Sequence, residues 1–355
     1  MNHFLFALRT TGWYGTPVKF EKLASEASML PFNDLNRAVD LHLHSTCSDG
    51  LSSPAELVTL ARDAGLRAIA LCDHDSIAGI DEALAAGEDG GLEVMTGVEL
   101  SSMWGLQQDI HLLGYGFDHH APALRDELAA FRSFRLQRNR RILERINDRL
   151  RRDRRTVLDF HDVQATVGGT VGRPHLARAL VARGYARNVE DAFQRYLIPC
   201  NVPKRFFPLD QAIRLVHDCG GIAVLAHPLL VTTDRDHWDR LLDDYTRLGL
   251  DGIEVYTPAA AEADIEFFLG QARRRGLVVT GGSDFHGLPL EPSAASLTVF
   301  GDFAVPLSCL EELKAALRSR HGLKESAGAP ECREAAPALR YATTTDSPAR
   351  PTSSA

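Results

Sequence analysis

The sequence predicts an α/β barrel of seven strands, interrupted by an all-helical insertion. Short apolar runs alternate with amphipathic helical patterns over most of the 355 residues, which is typical of a parallel sheet with crossover helices. The alternation stops between about Asp118 and Phe206, where every pattern is helical. A segment of roughly 90 residues has the size of a small domain. We therefore expect it to be an insertion between the fourth and fifth barrel strands.

Seven apolar runs have the length of barrel strands, and they lie at 38–44, 67–74, 92–100, 109–116, 221–228, 251–256 and 277–286. Amphipathic patterns predict helices at 54–64, 79–86, 209–219, 236–248, 259–275 and 308–319. The first of these helices follows Ser53 and begins with Pro54, residues typical of a helix N-cap and first position.

These elements divide the chain into five expected parts. They are an N-terminal extension at 1–36, a first part of the barrel at 37–117, the helical insertion at 118–206, a second part of the barrel at 207–324, and a tail at 325–355. The tail is rich in Ala, Pro, Ser and Thr and cannot bury much apolar surface, so we expect it to be disordered.

The composition narrows the classes of function. A net charge of −8 argues against a protein that coats nucleic acid with its whole surface, but it leaves room for a local basic groove. No apolar run is long enough to cross a bilayer, and the first residues show no signal peptide. The six cysteines form no CxxC pair, which suits a reducing cytoplasm. We expect a cytoplasmic protein without a membrane partner; no protein partner can be inferred.

The stretch VDLHLHSTCSDG, residues 39–50, places two histidines and an aspartate close together. Side chains at i and i+2 of a strand point to one face, so His42 and His44 can reach one point. Each of the other strands also ends in, or carries, a possible ligand. In βα barrels the carboxyl ends of the strands build the active site. The residues concerned are His42, His44, Asp49, Asp73, His74, Asp75, Glu99, His111, His227, Glu254, Asp284 and His286.

Taken singly, such residues are ordinary. A lone histidine at a strand end is usually a hydrogen-bonding residue, and Asp75 with Ser76 can simply cap the following helix. As a set they favour a metal site, because burying so many imidazoles and carboxylates without a cation is costly. Imidazole and carboxylate without thiolate suit Mn, Fe or Zn. The number of ligands suits two or three ions, which can share a hydroxide and clamp a phosphoryl group for in-line attack.

Six ordered motifs between Val39 and Gly287 resemble the PHP family, named for polymerase and histidinol phosphatase: DLHLHSTCSDG, LCDHDSIAG, GVELS, HLLGY, LAHP and GSDFHG. The resemblance implies a distorted (β/α)7 barrel with a trinuclear metal site, with Mn²⁺ expected and Fe²⁺ or Zn²⁺ as alternatives. It also implies the ligands of each ion. One ion takes His42, His44, Glu99 and Asp284, a second takes Asp49, His74 and His286, and a third shares Glu99 and adds His111 and His227.

Within that family, RNRRILERIN and GRPHLARALVARG resemble the TrpH/YciV-like subgroup of 3′,5′-nucleoside bisphosphate phosphatases. The resemblance implies removal of the 3′-phosphate by a metal-bridging hydroxide, for example from adenosine 3′,5′-bisphosphate to give AMP. It places Arg173 and His175 near substrate phosphate. An arginine fork binds phosphate bidentately, and either His175 or His227 could assist the leaving oxygen. The alternative for Arg173 is that it merely begins a helix with Pro174.

The sequence departs from the subgroup at RYLIPCNVPKRFFPLD. Relatives usually have a Gly-Lys pair where this chain has Cys200 and Asn201. Lys204 and Arg205 are the nearby cations that could replace the missing charge on the substrate. The departure leaves three alternatives open: a 5′–3′ exoribonuclease acting on short RNA, a cyclic-phosphate diesterase with the same site, and a PHP-like module that binds metal or nucleotide without turnover.

The predicted long helix carries many arginines between Arg132 and Arg155. They could follow a phosphate backbone. They could also be the solvated side of a helix whose apolar residues pack on the core of the insertion. The second interpretation is favoured, because aromatic residues for base stacking are few and the spacing of the apolar residues is amphipathic. Those apolar residues are Ile142, Leu143, Ile146 and Leu150.

Overall fold

The computed structural model describes residues 38–165, 171–287, 305–326 and 342–343. Its strands, in chain order, are β1 (Ala38–Leu43), β2 (Ala68–Leu71), β3 (Glu93–Trp104), β4 (Gln107–Tyr115), β5 (Arg205–Pro208), β6 (Ile222–Leu225), β7 (Gly252–Tyr256), β8 (Val278–Gly281), β9 (Val305–Pro306) and β10 (Ala342–Thr343). The seven predicted barrel strands correspond to β1–β4 and β6–β8.

Helices follow most of these strands: α1 (Pro54–Asp63), α2 (Ile80–Gly90), α3 (Pro122–Arg152), α4 (Phe160–Ala165), α5 (Arg173–Ala182), α6 (Val189–Ala192), α7 (Leu209–Asp218), α8 (Pro228–Val231), α9 (Arg235–Arg247), α10 (Glu262–Arg275) and α11 (Leu307–Ser326). A π-helical turn, Phe193–Leu197, continues α6. Ser53 caps α1 as predicted, since its hydroxyl accepts from the amide of Glu56 and the Glu56 carboxylate accepts from the amide of Ser53.

The main sheet runs in the order β8-β7-β6-β4-β3-β2-β1-β9. A bridge between Leu43 and Phe285 joins β1 to the segment after β8, so the sheet curls into a nearly closed barrel. Apolar side chains from every central strand contribute to its core. The predicted α/β barrel is confirmed.

The prediction of an all-parallel sheet is wrong at β4. This strand is antiparallel to both neighbours: its Leu113 lies opposite Glu99 of β3 on one side and opposite Val224 of β6 on the other. Only Gly105 and Leu106 connect β3 to β4. A two-residue turn can join only antiparallel strands, because a parallel pair needs a crossover of a dozen residues or more. Gly105 has a φ of +59°, which glycine adopts without steric cost.

The regular elements described between β4 and β5 are all helices, and they form a second apolar core. Helix α3 serves both cores. Its first half packs Leu128 and Phe131 onto the barrel, whereas its second half contributes to the core of the insertion. The predicted amphipathic face is confirmed, since the buried residues of that second half include Ile142, Leu143, Ile146 and Leu150.

The terminal predictions fall largely outside the described residues. The expected extension at 1–36 lies there entirely. Of the tail predicted to be disordered, the structure describes the end of α11 and the short strand β10, which pairs antiparallel with β5. None of the helices in the described ranges combines the length and apolarity required of a membrane span.

A buried amide in the insertion provides a test of this packing. The side chain of Asn147 accepts from the amide of Leu158 at 2.9 Å and donates to the Leu158 carbonyl at 2.8 Å. Asn147→Ala leaves both backbone groups unpaired, so we expect the free energy of unfolding to fall by about 1–3 kcal/mol. Denaturant unfolding followed by circular dichroism measures this. The adjacent exposed Asp148→Ala is the control, and an equal loss for the two variants would contradict the role of Asn147.

Candidate metal centre

The loop after β1 is held in place by a buried aspartate. Asp73 accepts from the Ser45 amide and the Ser45 hydroxyl, both at 2.7 Å, and from the Ser48 hydroxyl at 2.6 Å. These bonds fix the turn between His44 and Asp49. Asp73 thus supports the shape of the site without pointing into it.

The fully buried carboxylate of Glu99 lies at the centre of the site. Its Oε1 is 2.7 Å from Nδ1 of His111 and 2.9 Å from Nε2 of His227. Its Oε2 is 2.8 Å from Nδ1 of His74 and 3.3 Å from Nε2 of His44. Residues from four strands or strand ends therefore meet at one side chain.

Two further carboxylates complete the arrangement. Oδ1 of Asp284 lies 3.0 Å from Nε2 of His44 and 3.5 Å from Nε2 of His42. Asp49 Oδ1 lies 3.3 Å from Nε2 of His286, and its Oδ2 is 3.9 Å from Nε2 of His74. All nine residues proposed from the sequence as metal ligands come together in one cluster.

Their donor atoms form three groups, in each of which the atoms lie within 4.8 Å of one another: His42, His44, Glu99 and Asp284; His44, Asp49, His74 and His286; and His74, Glu99 and His111. Several of these atoms are buried at contact distance without hydrogen-bond geometry: His42 Nε2, His44 Nε2, Asp49 Oδ1, Glu99 Oε2 and Asp284 Oδ1. Buried polar atoms that converge unpaired are costly unless a cation binds them. The donor set therefore fits divalent metal ions.

Electrostatics of the polypeptide alone agree with this. Burial by itself would raise the pKa of Glu99, but His74, His111 and His42 hold it well below its usual range. Burial would likewise lower the pKa of His44, whereas Asp284 and Glu99 raise it to about 10. The ionised form of each buried group is thus favoured only by opposite charges beside it. A bound cation would supply such a charge to the carboxylates.

Glu254, which the sequence placed on the sixth predicted strand without a role, orients the ligands. Its Oε1 lies 2.9 Å from Nδ1 of His42, and its Oε2 accepts from the amide of His227 at 2.6 Å. Because a carboxylate only accepts, His42 carries its proton on Nδ1 and leaves Nε2 free to bind a metal.

Asp75 does not cap the following helix, contrary to the simple interpretation of its position. Its carboxylate accepts from the Ser101 amide at 2.8 Å and the Ser101 hydroxyl at 2.9 Å. Arg135 of α3 donates to Asp75 at 3.1 Å and to the carbonyl of His74 at 3.3 Å. This contact joins the insertion to the metal-binding cluster. Among so many arginines, no sequence signal singled out Arg135.

His175 lies at a cleft between the insertion and the loop after β1. The cleft has a volume of about 470 Å³ and is also lined by Leu51 and Arg178. The amide of Gly172 donates to Nδ1 of His175 at 2.9 Å, so the ring is protonated on Nε2. Burial and the nearby Arg178 lower the pKa of His175 to about 4. The ring is therefore neutral at pH 7.

The remaining cations proposed for the substrate contact other groups of the protein. Arg173 packs over the ring of Phe193, 5.7 Å from its centroid, and burial lowers the pKa of its guanidinium while Asp109 opposes that effect. Lys204 pairs with Asp109 at 2.6 Å. Arg205 lies over the ring of Phe134. Lys204 is thus largely neutralised within the protein.

Comparison with known proteins assigns the family. The PHP domain model matches residues 40–198. A 5′-3′ exoribonuclease of Haemophilus influenzae is 37% identical over 256 residues, which cover 71% of this chain and 91% of that protein. The chain belongs to the PHP family. Another PHP protein, the 3′,5′-nucleoside bisphosphate phosphatase of Chromobacterium violaceum, is 32% identical over 260 residues, or 70% of this chain and 87% of the relative.

A solved structure agrees with the assignment. A putative metal-dependent phosphoesterase from Bifidobacterium adolescentis is 32% identical and superposes with a TM-score of 0.67, covering 79% of this PHP chain and 96% of its own. The expected family is therefore confirmed, and so is the expected class of enzyme, a hydrolase of phosphate esters.

Glu254→Gln tests the orientation of the ligands. Glutamine keeps the volume but loses the charge that fixes the His42 ring, so the affinity of metal-stripped protein for Mn²⁺ should fall by about 10- to 100-fold. Isothermal titration calorimetry measures it directly, with the exposed Glu88→Gln on α2 as control. Unchanged affinity in the Glu254 variant would show that His42 needs no such partner.

Proposed function

We propose that this PHP protein removes the 3′-phosphate from 3′,5′-nucleoside bisphosphates, such as adenosine 3′,5′-bisphosphate, which yields AMP. The observation that carries the proposal is the convergence of six imidazoles and two other carboxylates in one cluster with the buried carboxylate of Glu99. The bisphosphate is supported by the relative from Chromobacterium violaceum.

The proposed ligands overlap with the three geometric groups, and His227, which lies outside those groups, contacts Glu99. His42, His44, Glu99 and Asp284 would hold one ion, Asp49, His74 and His286 a second, and Glu99 with His111 and His227 a third. Mn²⁺ is the proposed metal, with Fe²⁺ or Zn²⁺ as alternatives. Such ions supply positive charge that polarises a phosphate ester and makes a water more acidic at neutral pH.

The protein's own groups bind and orient the substrate. Arg173 offers a planar fork for phosphate oxygens. His175 is neutral, so its Nε2–H donates a hydrogen bond to phosphate but is a poor proton donor. Of the two groups considered for the leaving oxygen, His227 is engaged through Nε2 with Glu99 and His111, so as a metal ligand it would act on the leaving oxygen through the ion that it holds and not as a direct proton donor.

A second function has support from particular contacts. In the altered segment, Asn201 accepts from Arg138 at 2.9 Å, and Lys204 is paired with Asp109, so neither supplies a free cation for a second phosphate. The relative from Haemophilus influenzae is an exoribonuclease. A 5′–3′ exoribonuclease on short RNA is therefore the alternative, with a cyclic-phosphate diesterase next. A module without turnover has the least support, because all nine ligands are present.

Phosphate release tests the proposed reaction. With Mn²⁺, the protein should convert adenosine 3′,5′-bisphosphate to AMP and phosphate. Asp284→Ala should lower kcat/KM by more than about 100-fold, because it removes a proposed metal ligand, and the loss of a residue that merely orients a ligand already costs about 10- to 100-fold. The matched control is Asp81→Ala on the exposed start of α2. Retention of activity by the Asp284 variant would refute the assignment of the cluster. Release of mononucleotides from 5′-phosphorylated RNA, without attack on the bisphosphate, would favour the exoribonuclease.

A further inference from the structure

A bulge in β4 carries an aspartate in an unusual backbone conformation. The pairing of β4 with β3 changes register between Ser102 and Trp104, where β4 accommodates one extra residue. Asp109 lies in this bulge with a φ of +59°, a left-handed conformation that costs an L-residue free energy, although Asp tolerates it better than most. Bulges beside active sites often re-aim a side chain.

The carboxylate of Asp109 contacts one of the cations proposed for the substrate and lies near a second. Its Oδ1 is 2.6 Å from Nζ of Lys204, which follows 95 positions later in the chain. Burial by itself would raise the pKa of Asp109, but Lys204, His111 and Arg173 lower it to about 2. The carboxylate is therefore ionised at pH 7, within electrostatic range of a proposed metal ligand.

The stability of the fold does not account for this carboxylate. Its side chain is 42% exposed, and an ion pair open to water stabilises a protein little. The left-handed backbone of Asp109 opposes even that small gain. A strained residue that does little for the fold and lies beside a proposed reaction centre is typical of a functional position.

Other cations lie within range of the same carboxylate. Burial, together with the charges of Arg173 and Arg135, lowers the pKa of the Arg138 guanidinium to about 9. Asp109 opposes that effect, so these side chains feel one another's charge. A phosphate is the ligand that such a group of cations attracts. Asp109 already supplies one negative charge there.

We propose that Asp109 is a specificity-determining residue, whose carboxylate competes with the non-scissile phosphate of a nucleotide for Lys204 and Arg173. The inference rests on the proposed phosphoesterase function and concerns the substrate phosphate that is not cleaved. A second phosphate placed between these cations meets the charge of Asp109, and like charges weaken binding. A nucleotide whose single phosphate lies at the metal centre, such as 3′-AMP, meets no such repulsion. Asp109 therefore narrows the preference for bisphosphates over monophosphates.

Asp109→Asn tests the competition, because asparagine has nearly the same size and also tolerates the left-handed conformation. Isothermal titration calorimetry of the Mn²⁺-loaded protein with AMP measures binding of a nucleotide that retains the non-scissile phosphate. The Kd for AMP should fall at least about fivefold, since a like charge is removed. The gain should largely disappear at about 1 M NaCl, where the Debye length is only about 3 Å.

Turnover with Mn²⁺ measures the selectivity itself. In Asp109→Asn, the ratio of kcat/KM for adenosine 3′,5′-bisphosphate to that for 3′-AMP should rise at least about fivefold, through a lower KM for the bisphosphate. Lys204→Gln should lower the ratio and raise the Kd for AMP, because it removes the cation and leaves the carboxylate unopposed. Both variants break the same ion pair, so a merely structural role would move them in the same direction.

Asp264→Asn on α10 is the matched control, since it also removes a carboxylate that lies 2.6 Å from a cation, Arg235. It should change neither the Kd nor the ratio. Weaker AMP binding in both Asp109→Asn and Lys204→Gln would overturn the proposal. An unchanged Kd in Asp109→Asn, or no AMP binding to either it or the wild type, would do the same.

Failure of the proposed function gives a different result. A wild-type protein that releases no phosphate from the bisphosphate refutes the phosphatase. Tighter AMP binding by Asp109→Asn would still support the competition in that case, because the calorimetric measurement does not depend on turnover.

Discussion

The burial of Glu99 is the constraint on which the site depends. A carboxylate with no access to water is stable only where opposite charge surrounds it, and here imidazoles from β1, β4 and the loops after β2 and β6 do so. The residues that carry these imidazoles must therefore lie at the same height in the barrel. The antiparallel course of β4 meets this requirement, because it brings His111 opposite Ser101, two residues from Glu99.

The insertion is tied to the same centre through a second buried carboxylate. Asp75 binds Ser101 of β3 on one side and Arg135 of α3 on the other. Because α3 also packs into both apolar cores, a displacement of the insertion would disturb the cluster. The α3 contact thus keeps the insertion, which carries Arg173 and His175, in a fixed position relative to the cluster.

Much of this could be predicted from sequence, and the limits have physical reasons. Candidate ligands such as His42 and His44 could be predicted, because strand periodicity and the position of strand ends restrict where a side chain points. The antiparallel direction of β4 was not predicted, because an apolar run looks the same in a parallel and an antiparallel strand. The two-residue connection at Gly105 and Leu106 is nevertheless a sequence feature that predicts an antiparallel pair. The roles of Glu254 and Arg135 depend on contacts between residues far apart in the chain, 212 positions for Glu254 and His42, which periodicity does not reveal.

The structure supports the interpretation in which the long helix packs on the core of the insertion. Its buried face accounts for Ile142, Ile146 and Leu150, but that packing does not require arginines on the flank. A solvated flank would be equally stable with a mixture of Lys, Glu and Gln. Several of the arginines instead hold the insertion together, since Arg138, Arg145 and Arg149 donate to the backbone carbonyls of Val202, Asn201 and Arg195.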